Sequence, residues 1–181
     1  MPKQLTFAPR DISLGYVAAY HEDADSSLRF FFTDLNPNFA VRFFGESHDE
    51  IQLELEDRLN ETELRSSLAI LVRIEAAFRI DYEQRAAKRK RKRDAVSKAF
   101  RALYKKYGER VGLEEHIFTT WREANPEKGA LISELKGAFK FRHWLAHGSF
   151  WEPKLGRKYD YVDLYTLGVN ALENFPLLSR S

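Results

Sequence analysis

Arg142 and His147 bracket the segment RHWLAH, with four residues between them. Both residue types act on phosphate groups. A guanidinium stabilises the charge that develops on a phosphoryl centre, and an imidazole takes or gives a proton near neutral pH. On an ideal helix an offset of five residues is about 140°, so the two side chains do not share a face. A long arginine and a histidine at a fraying helix end can still converge on one cleft. A histidine at that position is equally explained as a partner of the helix dipole. His143 lies four residues before His147 and on its face, a spacing that permits a two-histidine metal site. The glutamate of an HExxH pair is absent, because Trp144, Leu145 and Ala146 intervene, and His48 and His116 stand alone. No metal and no cofactor are therefore assigned.

The stretch 129–147 carries an apolar stripe of Leu131, Leu135, Ala138 and Leu145, and Arg142 occupies the position that would complete it. An unpaired charge in such a seam costs several kcal/mol, so the arginine needs a carboxylate or an anion. A second stripe, Leu68, Leu71, Phe78 and Tyr82, is interrupted in the same way by Glu75. The expectation is a Glu75–Arg142 pair, which serves either as a core salt bridge or as the device that holds Arg142 ready for a phosphate.

The run Lys88, Arg89, Lys90, Arg91, Lys92 and Arg93 is the other chemical feature. From Arg85 to Lys106 there are eleven basic residues against Asp94 alone, and Arg101 and Lys105 extend the charge. Such a run is either a solvated face or connector, or a polyanion contact driven by counterion release; a nuclear-import signal also fits its composition. Charge is divided along the chain. Residues 1–84 hold 8 Lys and Arg against 16 Asp and Glu, whereas residues 85–181 hold 21 against 11. The halves either attract each other, within the fold or a dimer, or the basic half meets RNA.

Helices must position these groups. The 181 residues are 44% hydrophobic, enough for one domain with a packed core. Cysteine is absent, which excludes disulfide scaffolds, Cys-ligated zinc and thiol catalysis and fits a cytoplasmic setting. No apolar run is long enough for a membrane span, and the first residues lack the layout of a signal peptide. Periodicity predicts helices over roughly 48–59, 61–90, 94–107, 129–147 and 160–174. Asn60 is placed to cap the second, with Glu63 as its box partner. Ala99, Leu103 and Tyr107 form the expected stripe of the third, which Gly108 ends, and Gly148 ends the fourth. Residues 1–45 are read as an N-terminal extension packed on the domain formed by 46–181. Within the extension, short helices compete with a hairpin of LRFFFTDL and FAVRFF; helices are preferred because everything downstream is helical. The fold class is an all-α bundle.

With Arg142 and His147 late in a bundle helix, AFKFRHWLAHG, and Glu75 in SLAILVRIEAAFRIDY, residues 48–175 resemble the HEPN superfamily. These are all-α domains whose signature is Arg, four to six residues, then His. The resemblance implies a metal-independent endoribonuclease with Arg142 and His147 catalytic, found in toxin–antitoxin, phage-defence or RNA-processing systems. It also implies a homodimer whose two motifs line one cleft, RNA as the partner, and in some settings an antitoxin protein. The residue after the arginine is often Asn or Asp in that family; here it is His143, which keeps the polarity. Some members bind RNA or nucleotides without cutting, which leaves a binding module as the alternative, beside a structural partner protein that assembles through its acidic and basic halves.

Overall fold

The chain was studied as a computed structural model, which describes residues 13–87, 94–147 and 156–178. Its longest helix begins where Ser47 and Glu50 form a reciprocal capping box, with Asp49 and Glu50 complementing the helix dipole. Seven α-helices occur among the described residues: α1 (Leu14–Phe31), α2 (Phe39–Arg42), α3 (His48–Ala86), α4 (Ala95–Tyr107), α5 (Phe118–Ala124), α6 (Gly129–Ala146) and α7 (Tyr161–Asn174). No strand is present among them, so the all-α expectation holds. The preference for helices over a hairpin near the N-terminus also holds. Residues 33–38 make turns instead, tied by Asn36, whose amide donates to Phe31 O at 2.8 Å.

α3 corrects one expectation. It runs 39 residues without a break at Asn60. Arg58 pairs with Glu54 and Arg65 with Glu61, so i,i+4 ion pairs bracket the asparagine, and no glycine or proline interrupts the ladder. Glu63 caps nothing on its own helix; its carboxylate accepts the backbone N–H of Tyr161 at 3.2 Å, at the start of α7. The helix ends at Ala86, with Ala87 extended, and the expected continuation to residue 90 passes outside the described residues.

The other helices pack around the C-terminal half of α3. α1 is antiparallel to it: Arg58 lies over the Phe32 ring, His21 meets Ser66 at 3.0 Å, and Leu14 is close to Ile70 and Ile74 beside Gly168. α7 runs parallel, from Tyr161 at Glu63 to Leu178, whose N–H donates to Asp81 at 2.9 Å. α4 runs back along the same end, with Phe100 and Tyr104 against Tyr82. Its buried face is Val96, Ser97 and Phe100, with Leu103 and Tyr107 only partly covered, so the expected stripe is shifted by one position. The reason is Asp94, which caps the helix through Ser97 and is held by Arg85, fixing its rotation. Gly108 ends it with φ of 59°, as expected.

The core is aromatic. Phe78, Phe100, Phe118, Trp121 and Phe175 meet mostly edge to face, with ring centres 5.0–6.3 Å apart. Below it lies an ionic knot that the stripe pattern did not reveal. Arg85 donates to Asp81 at 2.7 Å, to Asp94 at 3.1 Å, to Ser97 at 3.3 Å and to Pro176 O at 2.7 Å, with its guanidinium over Trp121. It locks α3, α4 and the chain after α7 together.

Candidate functional site

Glu75 is where two helices exchange charge. Its Oε1 accepts from Arg79 Nε at 2.8 Å, one turn further along α3, and its Oε2 pairs with Arg142 Nη2 of α6, also at 2.8 Å. The carboxylate therefore holds two guanidinium groups. Its side chain is 17% exposed and that of Arg142 34%, so the pair borders solvent and does not sit in the core. Arg142 Nε is buried without a partner among the described residues. Arg79 also donates to Val111 O at 3.3 Å, which anchors the segment after α4 to the same cluster.

These groups line an open pocket of about 200 Å³. Glu75 and Arg79 form one wall, Phe139, Arg142 and His143 of α6 a second, and Leu113, Glu114 and Glu115 the third. The third wall is a π-helical turn, Leu113–Ile117, running directly into α5. Such wide turns are frequent at functional sites because they aim side chains that a regular helix would splay. Gly112 leads into it with extended backbone. Its N–H is capped by His116 Nδ1 at 3.1 Å, and a Cβ there would collide with the Glu115 carboxylate. His116 is thus a structural acceptor, not an isolated histidine. Burial, followed by repulsion from Glu115, pushes the Glu114 carboxyl above its usual range, against the opposing pull of Lys136, Lys140 and His143.

Arg142 and His143 line the pocket together with Glu75. His147 is the residue that ends α6; its N–H closes the last turn on His143 O at 3.2 Å. Its ring centre is 4.2 Å from that of His143, and the ring is exposed beside the pocket, not among its lining residues. Arg142 and His143 thus line the pocket together, and His147 reaches it only through its ring contact with His143. Arg101 and Lys105 belong to α4 and are not among the residues that line this pocket. Lys88, Arg89, Lys90, Arg91, Lys92 and Arg93 lie outside the described residues, as does Gly148. Among the described residues no group of three or more His, Cys, Asp or Glu side chains is arranged to hold a metal ion.

Five pocket residues escaped the sequence reading, three of them charged. Arg79 was legible as the i+4 partner of Glu75. Glu114 and Glu115 were not, because a π turn obeys neither the 3.6 nor the 2.0 period on which pattern reading depends. No helix among the described residues is long and apolar enough to cross a membrane. The chain gave no match to a family model, a curated protein or a solved structure.

Proposed function

We propose that this protein is an HEPN-like endoribonuclease that cuts RNA at the end of α6. The observation that carries this reading is that Arg142, restrained by Glu75, lines one open pocket with His143, whose ring is in contact with that of His147. RNA supplies its own nucleophile. The ribose 2′-oxygen attacks phosphorus, the bond from phosphorus to the 5′-oxygen breaks, and the 2′-OH proton is lost while the leaving oxygen gains one. The products are a 2′,3′-cyclic phosphate and a 5′-hydroxyl. His147 or His143 moves the proton, and Arg142 holds the charge that grows on the phosphate oxygens. The step is metal-independent because neither the nucleophile nor the charge stabilisation calls for a cation beyond these side chains.

One observation favours a second reading. Glu114 and Glu115 line the same pocket as Arg142, and their carboxylates oppose a bare polyanion. That suits a module which holds one phosphate of a nucleotide at Arg142, away from these carboxylates, without cutting a strand. The experiment separates the two. Purified protein in EDTA is incubated with single-stranded RNA and with the same strand carrying one 2′-deoxy nucleotide. Cleavage to cyclic-phosphate ends, blocked by the 2′-deoxy group and abolished in His147→Ala and Arg142→Ala variants that remain folded, supports the enzyme. Binding without cleavage of any RNA pool establishes the module, and activity that vanishes in EDTA overturns the mechanism.

A further inference from the structure

The first third of α3 lies outside the main core. None of its residues before Ser66 is buried, and the turn that joins it to α1 has a small core of its own, in which Phe32 and Phe43 pack with Phe31 and Phe39. Around that core the surface is apolar. Phe30, Leu35, Val41, Phe44 and Leu53 are all exposed, Phe44 to 90%. An isolated exposed leucine needs no explanation, but five large apolar residues within one turn region mark an interaction surface.

The charge around this tip narrows the occupant. Residues 13–64 hold twelve Asp and Glu against three Lys and Arg. Such a surface repels a polyanion and attracts a basic protein face. The chain carries that face itself. α4 contains Lys98, Arg101, Lys105 and Lys106 and no acidic residue. Lys98, Arg101 and Lys105 recur at helical spacing on the side opposite buried Val96 and Phe100. The tip lies near the start of α3 and α4 packs at its end, about 45 Å apart along the helix axis at 1.5 Å per residue. Two copies laid side by side with their α3 helices antiparallel place each acidic tip on the other's α4. The same contact then forms twice about one two-fold axis and closes. Tip-to-tip or parallel pairing would set like charges together.

We infer that the α1–α3 tip is a docking surface for a second copy of this chain, seated on the basic face of its α4 in an antiparallel pair. This goes beyond the ribonuclease reading and does not depend on it.

The absence of cysteine makes the test direct, since any introduced cysteine reports one position. Full-length chain carrying Val41→Cys is mixed with chain carrying Lys105→Cys, after nuclease treatment and at low salt. The expected product of mild oxidation is the mixed 41–105 disulfide, suppressed at 1 M salt, where screening reaches about 3 Å. Sedimentation at tens of micromolar should show a dimer, and Val41→Lys with Phe44→Lys, which sets basic groups against the basic face of α4, should weaken it at least about tenfold, or ~1.4 kcal/mol. Both sites are exposed, so the fold should survive, which circular dichroism checks. A monomer at low salt overturns the proposal. So does a dimer indifferent to these substitutions, a dimer that nuclease dissolves, or a product dominated by 41–41 links.

Discussion

Replacing Arg85 by methionine tests the ionic knot that closes the core. Asp81 is fully buried, and the Arg85 side chain is 4% exposed. One oxygen of Asp81 receives Arg85 Nε and the Leu178 N–H; the other, Oδ2, has no hydrogen-bond partner. Removing the guanidinium leaves a buried carboxylate with a single backbone donor, and also frees Asp94, Ser97 and Pro176 O. Breaking a buried pair from one side costs about 3–5 kcal/mol. For a chain of this size each kcal/mol moves the melting temperature by about 2–4 °C, so a fall of roughly 6–20 °C is expected. The loss should depend on pH. Burial already pushes the Asp81 carboxyl above its usual range, against the Leu178 N–H and Arg85, and without Arg85 it rises further. A carboxyl raised in the folded state contributes stability that is fully present below the unfolded value of about 3.9 and is lost as pH rises through the folded value. The deficit of Arg85→Met should therefore be largest at pH 7 and shrink toward pH 4. Adding Asp81→Leu should recover at least half of it, because an apolar pair replaces the ionic one. Thermal and urea unfolding at pH 7 and pH 4.5 provide the readout. A loss under about 1 kcal/mol, or one unchanged at the lower pH, would refute the reasoning.

Two further outcomes follow from the pocket. Glu114→Gln should raise stability at pH 7 and leave it unchanged near pH 3.5, because the raised carboxyl is an unfavourable charge only once ionised; a variant less stable at pH 7 would show that Lys136 and Lys140 outweigh burial and Glu115. Gly112→Ala should destabilise by about 1–3 kcal/mol, since the new methyl lies 2.9 Å from His116 Nδ1 and forces off the ring that accepts the residue 112 N–H, whereas the exposed Glu115 carboxylate swings aside; an unchanged melting temperature would show that the π turn tolerates it.

The fold was legible wherever apolar spacing alone decides it. α6 and α7 fall within one residue of the expected ranges, and α4 within one at its start. Pattern failed where charge or local sterics took over. Asn60 looks like a cap because nothing in the apolar stripe distinguishes a break from a continuous helix; the flanking Glu54–Arg58 and Glu61–Arg65 pairs carry α3 through it. The rotation of α4 follows from Asp94 and Arg85, a tertiary contact that spacing cannot announce. The segment 108–120 received no element at all, because it joins a 3₁₀ turn, a π turn and a short helix, three periods in thirteen residues.

The pocket divides in the same way. A charge interrupting an apolar stripe is visible in a sequence because it violates a period, and that is how Glu75 and Arg142 stood out. The violation identifies a group that needs a partner without naming one. Their pairing at 2.8 Å joins two such positions, but the same carboxylate also takes Arg79, whose place on the polar side of α3 violates nothing. The consequence bears on what Arg142 is free to do. With Nη2 committed to Glu75 and Nε buried, an incoming anion meets a guanidinium already half neutralised and fixed in place. Such an arginine is better suited to orient one phosphate in a defined pose than to gather polyanion from solution.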